Sequence, residues 1–401
     1  MSENKENVPQ IRFPGFSDAW EQRRLGEIAT FINGRAYSQD ELLAKGKYKV
    51  LRVGNFYTND SWYYSDMELG EKHYANVGDL LYTWSASFGP HIWLGDKVIY
   101  HYHIWKVALS EQFDKQFAVQ ILDYDRAKLM SDHNGSTMIH ITKKGMEEKT
   151  ISLPSTAEQK RIGTFFCTLD NLITLHQRKL NNVKKLKAGL LQKMFPKNGE
   201  KFPEVRFPEF THAWEQRKLG ELAEFSKGSG YTKNDLTESG SPIVLYGRLY
   251  TKYETIINDV DTFVEMKDNS VISEGNEVVV PASGETAEDI SRASVIGRSG
   301  FILGGDLNII KPNQEIDPIF LALTISGGTQ QKEMSKCAQG KSVVHLHNSD
   351  LKQVSLFYPK LEEQQRIGKF FVEIDRLITL HQRKLEHLQK QKKSLLQQMF
   401  L

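Results

Sequence analysis

The sequence predicts a mixed α/β chain in which two β-rich α+β domains alternate with two long helices forming a coiled coil, all within a pseudo-twofold internal repeat. Three observations carry this. The stretch Glu158-Gln159-Lys160-Arg161-Ile162-Gly163, running to Met194-Phe195, returns as Glu363-Gln364-Gln365-Arg366-Ile367-Gly368 and ends at Met399-Phe400. Roughly two-thirds of the ~38 aligned positions are identical, which marks a duplication. Both copies carry apolar residues at helical spacing with no proline, and strand-like runs fill the diverged segments between them.

Taken in order, each repeat opens with an entry block. Arg12-Phe13-Pro14-Gly15-Phe16 leading to Trp20-Glu21-Gln22-Arg23-Arg24-Leu25-Gly26-Glu27 recurs as Arg206-Phe207-Pro208-Glu209-Phe210 leading to Trp214-Glu215-Gln216-Arg217-Lys218-Leu219-Gly220-Glu221. The variable segments that follow, about 31–132 and 225–337, share little beyond texture. Strands are expected at 49–53, 79–84 and 103–107 in the first and at 277–280, 299–303 and 307–310 in the second, from β-branched and aromatic enrichment between turn signals. Helices are expected at 112–130 and 317–334. Exit blocks follow: Gly135-Ser136-Thr137 with His140 and Ile151-Ser152-Leu153-Pro154, matched by Gly340-Lys341-Ser342 with His345 and Leu356-Phe357-Tyr358-Pro359.

The long helices come last in each repeat. Ile162, Phe165, Leu169, Leu172, Leu180, Val183, Leu186, Leu190 and Met194 fall on one face, matched by Ile367, Phe370, Ile374, Leu377, Leu385, Leu388, Leu395 and Met399. A stripe this narrow suits a two-helix coiled coil about 57 Å long, at about 1.5 Å per residue. The boundaries expected are 1–155 and 206–360 for the domains with their entry and exit blocks, 156–196 and 361–401 for the helices, and a linker at 197–205.

Composition narrows the function classes. No apolar run approaches the ~20 residues of a membrane span, the polar start carries no signal peptide, and the two cysteines, Cys167 and Cys337, lie outside metal or disulfide spacing. These point to a cytoplasmic chain. The net charge of +2 is unevenly spread: the helical copies carry about +6 and +4 and the remainder about −8, with 256–317 visibly acidic. Catalytic motifs are missing. Gly340-Lys341-Ser342 lacks the glycine of a phosphate loop, since Ser335 stands in its place, and Gly304-Gly305-Asp306 precedes a strand and reads as a turn. There is no Asn-Pro-Pro-aromatic run for amino-group methylation and no nuclease pattern. Histidines 91, 101 and 103 lack ligand spacing and read as strand-borne core or surface residues.

The duplicated Glu-Gln-x-Arg-Ile-Gly helix, the Trp-Glu-Gln-Arg-x-Leu-Gly-Glu entry blocks and the diverged inserts closely resemble the specificity subunit of Type I restriction-modification systems, over almost the entire chain. The resemblance implies that the inserts are target recognition domains, each reading one half of a bipartite double-stranded DNA sequence. It also implies that the helices pack antiparallel, set the spacing, and help to dock two methyltransferase subunits and, through them, restriction subunits. Methyl donor and ATP would belong to those partners, so no cofactor, metal or catalytic residue is expected here, and the role is non-catalytic host defence.

On that frame the chemistry of phosphate and base-edge contact selects Arg35, Tyr37, Arg52, Asn55, Trp84, Ser85, Ser87 and Ser136 in the first domain. In the second it selects Lys227, Tyr231, Arg248, Tyr250, Ser283, Arg292 and Lys341. The expected coiled-coil seam comprises Ile162, Leu169, His176, Val183 and Leu190 with Ile367, Ile374, His381, Leu388 and Leu395. His176 and His381, at the helix midpoints, are expected to meet near the pseudo-twofold centre and fix register. The alternative is a coiled-coil adaptor whose variable domains bind proteins, which the acidic second insert favours. A self-sufficient modification enzyme is disfavoured by the missing methylation motif.

Overall fold

The computed structural model describes residues 8–57, 59–85, 87–132, 141–197, 199–327, 331, 335 and 344–400. Two compact units emerge, one of residues 1–176 with 384–401 and the other of 177–383. The long helices, Thr156–Lys193 and Leu361–Met399, each begin in one unit and end in the other.

In the first unit a four-stranded antiparallel sheet runs in the order Ala29–Asn33, Ile104–Leu109, Leu80–Thr83, Gly89–Ile92. Its residues alternate between two cores. Leu80, Tyr82, Trp105 and Val107 face the cluster built on the long helix, while Leu81 and Ile104 face a second cluster with Leu51, Val98 and Tyr100. Burial on both faces explains why Leu80–Thr83 is apolar without interruption. A smaller sheet pairs Tyr48–Leu51 in parallel with Val98–Tyr100.

The second unit repeats this plan on unrelated sequence. Ala223–Lys227, Leu307–Pro312, Val278–Pro281 and Ser294–Ile296 adjoin in the same order within a five-stranded sheet, and Ser241–Val244 runs parallel to Ile302–Leu303. Val278 and Val280 face the helix-side core and Val279 the other. Each of the six expected strands has a counterpart, although that expected at 299–303 is only Ile302–Leu303. The helix expected at 112–130 is Lys115–Asp132, and that expected at 317–334 is Pro318–Ser326, with most of the remainder of that stretch outside the described residues. So do 135–137, His140 and 340–342 of the exit blocks, whereas His345 pairs with Ser283 across a short bridge.

Each entry block becomes a strand closed by its exit block: Glu21–Arg24 on Thr150–Leu153, and Glu215–Lys218 on Ser355–Tyr358. The repeated motif then locks this closure to the helix. Glu158, fully buried, takes a bidentate pair from Arg12 at 2.6 and 2.7 Å, and Glu363 takes one from Arg206 at 2.7 Å on both oxygens. Gln159 donates to the carbonyls of Gln112 and Pro154 and accepts from the Asp114 amide; Gln364 does the same with Glu315, Pro359 and Asp317. Arg161 lies over Phe13 and Arg366 over Phe207. A Cβ on Gly163 would sit 2.7 Å from the backbone nitrogen of Phe117, so only glycine admits that helix so closely. Removing one partner of a buried bidentate pair strands the other charge. Glu158→Ala should therefore cost about 3–5 kcal/mol by denaturant titration, and the double change Arg12→Met with Glu158→Leu clearly less.

Within each unit, segments of the two helices run antiparallel. In the first, Phe166 meets Phe400 at 5.9 Å while Asp170, four residues on, pairs with Lys392, eight residues back. In the second, Phe195 meets Phe371 while Lys187 pairs with Asp375. Of the expected seam, Ile162, Leu169 and Leu388 are buried in the first unit with Leu395 against them. Ile367 and Ile374 are buried in the second with Val183 and Leu190 against them. His176 and His381 are half buried. The apolar stripe is narrower than its sequence suggests. Phe165, Leu172, Leu186 and Leu377 are 37–55% exposed, whereas Phe166 and Phe371, outside the stripe, are fully buried, because the helix packs against its domain as well as against the other helix.

Each helix ends in a Met-Phe pair whose phenylalanine completes an aromatic core. Phe400 contacts Trp20, Phe117 and Phe166 in the first unit, and Phe195 contacts Trp214, Phe320 and Phe371 in the second. Phe400→Ala should destabilise the first unit, and Phe195→Ala the second, by about 3–5 kcal/mol each. Calorimetry would show one of two transitions moving in each variant.

Candidate nucleic-acid interface

In each domain three connections meet at one end of the main sheet. In the first domain these are the chain after Asn33, the 84–88 loop and the 101–103 turn. Five backbone hydrogen bonds fix them. Gly34 and Arg35 amides bond to the carbonyls of Ile104 and Tyr100, Trp84 to His103, His101 to Leu51 and Ile104 to His101, all at 2.9–3.1 Å. The second domain makes the same five. Gly228 and Ser229 bond to Leu307 and Leu303, Ala282 to Asp306, Gly304 to Val244 and Leu307 to Gly304, at 2.8–3.2 Å. One backbone frame therefore carries two side-chain sets, aromatic and imidazole in the first domain, small and acidic in the second.

Several candidates are spent on this frame. Asn55 caps its own turn, its amide donating to the carbonyls of Asn59 and Ser61 while its oxygen accepts from the Arg52 amide. Arg248, 8% exposed, is held by Glu254, Asp261 and the Asp259 carbonyl. Tyr231 is buried, its hydroxyl engaged with Ser270 and the Lys267 amide. Arg35 makes a bidentate pair with Glu41, which holds that carboxylate down to about 2. Tyr37 stacks on His101, and burial pushes its phenol up. Arg52 lies 4.2 Å over the Tyr63 ring.

Others are open. Trp84 is half-buried with its indole nitrogen on the Tyr102 carbonyl; Ser85 is half-buried and Ser87 exposed in the same loop. Lys227 is exposed at the end of its strand, and Arg292 is half-buried 6.0 Å over Tyr253. Tyr250 lines a cleft of about 360 Å3 with Tyr231 and Arg248, where burial, then Tyr246, pushes its hydroxyl up to about 12. Ser283 donates to Asp306. Ser136 and Lys341 lie outside the described residues. The sequence reading puts His101 and His103 on a strand; they stand in the turn ahead of it, flanking Tyr102, which is 40% exposed. Part of the acidity of the second insert is paired internally, Glu254 and Asp261 with Arg248, Asp261 also with Lys252, Asp235 with Lys267 and Glu274 with Lys311.

A duplicated frame with two differently furnished tips matches one family in particular. The profile of the Type I restriction modification DNA specificity domain fits residues 17–185 and again 212–390. The chain belongs to that family. Specificity subunits are the non-catalytic, DNA-recognising components of Type I restriction-modification systems. This one is 25% identical to the Type I restriction enzyme MjaVIII specificity subunit of Methanocaldococcus jannaschii, across 98% of this chain and 94% of that relative. It is 23% identical to the EcoBI specificity subunit of Escherichia coli over 38% of this chain and 32% of that one. Among solved structures it resembles the S subunit from M. genitalium, with a TM-score of 0.66 and 16% identity over 98% and 99% of the two chains. A chain from a study of complex assembly and conformational transition of the type I R-M system gives 0.52 and 15% over 97% and 98%. At these identities the likeness concerns the fold. Among the described residues, no helix of the specificity subunit is long and apolar enough to cross a membrane.

Proposed function

We propose that this specificity subunit reads an asymmetric, bipartite double-stranded DNA target, one half-site per variable domain, and brings two methyltransferase subunits, and through them restriction subunits, to it. The observation that carries this reading is the pairing of one backbone frame with two unlike tips, as two half-sites of different sequence require. Among the open side chains, Lys227 and Arg292 suit phosphates, while Trp84, Ser85, Ser87, Tyr250 and Ser283 can meet base edges or sugars. Arg52, Tyr37 and Arg35 shape the first tip from beneath. Partner docking is supported by apolar surface on the helices: Leu172 and Leu175 in the first unit, and Leu377 and Leu380 in the second, are 42–60% exposed. The test is sequencing of methylated bases in cells carrying a methyltransferase partner, with and without this chain. A split asymmetric motif that appears only with the chain is the expected result; methylation unchanged by its removal refutes the reading.

A further inference from the structure

The turn at 101–103 belongs to none of the contacts the sequence selects, yet it is the most distinctive feature of the first tip. Its backbone is anchored by the His101 amide on the Leu51 carbonyl, the Ile104 amide on the His101 carbonyl, and the amide and indole of Trp84 on the carbonyls of His103 and Tyr102. Its side chains are not. Among the described residues, neither imidazole of His101 and His103 nor the Tyr102 hydroxyl has a hydrogen-bond partner. The rings are nevertheless held in place. Tyr102 packs on His103 at 3.9 Å between centroids and on His101 at 4.4 Å, and Trp84 closes against His103 at 5.0 Å. Ordered polar atoms on a rigid ring platform, facing solvent, are what direct readout needs, because the entropy of fixing them is already lost on folding.

Charge argues against a phosphate role. The nearest arginines are committed, Arg35 to Glu41 and Arg52 to the Ser61 carbonyl and the Tyr63 face. Burial first, then His103 and Arg52, lower His101 to about 4, and burial lowers His103, so both rings are neutral near pH 7. A neutral imidazole offers one donor and one acceptor, and a phenol hydroxyl offers both. The adenine edge in the major groove presents N7 as acceptor and N6 as donor, whereas guanine presents two acceptors. The second domain supplies the contrast: on the same five hydrogen bonds the corresponding turn is Gly304, Gly305 and Asp306, with no ring at all.

We propose that His101, Tyr102 and His103, backed by Trp84, are the specificity-determining base reader of the first domain, taking a mixed donor–acceptor purine edge, adenine over guanine. This rests on the reading that each domain recognises one half-site. The test uses the full chain with its methyltransferase partner and compares wild type with Tyr102→Phe and His103→Phe, which keep the rings and remove the polar atoms. Methylation sequencing and competition binding should show discrimination at one position of one half-site falling about 5- to 150-fold. The other half-site and the slope of binding against salt should stay unchanged. The intact second half-site reports that the variant is folded. An unchanged motif in both variants, or weakening that is uniform over sequences with a shallower salt slope, overturns the assignment. If the wild-type chain itself directs no split motif, the underlying reading has failed instead.

Discussion

A fragment of residues 1–201 should assemble as a homodimer and, with its methyltransferase partner, methylate an interrupted palindrome built from the first half-site and its inverted copy. The fragment keeps its entry strand, variable domain, exit strand and long helix, but it loses residues 384–401, which supply Leu388, Leu396, Met399 and Phe400 to the core of the first unit. The vacated site is one that the fragment's own sequence can fill. Phe195 makes with Trp214, Phe320 and Phe371 the contacts that Phe400 makes with Trp20, Phe117 and Phe166, and the two phenylalanines close matching ends of the repeat. The ion pair also has its counterpart, because Lys187 answers Lys392 and Asp375 answers Asp170. A second copy can therefore donate Met194-Phe195 and receive the same in return, an isologous closed pairing. Burying a large apolar side chain is worth roughly 1.5–3 kcal/mol, so several such residues per copy outweigh an association cost of about 4–15 kcal/mol. Sedimentation would show the stoichiometry and methylation sequencing the motif. A folded monomer, or a dimer that methylates the original asymmetric site, would refute the scheme.

Much of this frame is visible in the sequence because the duplication repeats its physical constraints. Glutamate, glutamine and arginine recur in the helix motif because each has the same task twice: Arg12 or Arg206 for the glutamate, three backbone groups for the glutamine and a phenylalanine ring for the arginine. What the sequence hid lies where chemistry and burial diverge. Tyr231, Arg248 and Asn55 have residue types suited to nucleic-acid contact, yet their polar atoms are consumed inside the domain, and nothing local in the sequence announces Asp261 or Ser270 as their partners. Phe165 and Phe166 are neighbours of equal hydrophobicity. Only the tertiary wedge of the helix against its domain buries the second and exposes the first. The likeness of the two inserts was equally hidden, because parallel pairing of Tyr48–Leu51 with Val98–Tyr100 and of Ser241–Val244 with Ile302–Leu303 rests on backbone hydrogen bonds that unrelated side chains can satisfy.

Exchanging residues 31–132 for the corresponding insert of another specificity subunit should replace one half of the methylated motif and leave the other half untouched. The variable sheets carry the tip, but the exchanged segment also contains positions that fasten the domain to the long helix. Phe117 packs on Phe400, the Gln112 carbonyl and Asp114 amide bind Gln159, and Gln120 donates to Asp170. The second insert shows which of these the frame requires, since Phe320, the Glu315 carbonyl and the Asp317 amide repeat three of them. An incoming insert with an equivalent phenylalanine and a free carbonyl and amide ahead of its helix should dock, because Gln159 recognises backbone and is indifferent to the side chains around it. One lacking the phenylalanine should lose about 3–5 kcal/mol, as a core Phe→Ala change does. Restoring Phe at the position of residue 117 should then recover both folding and the new half-site. Methylation sequencing of the chimaeras checks the outcome, and a change in both halves of the motif at once would sink the idea that each domain reads alone.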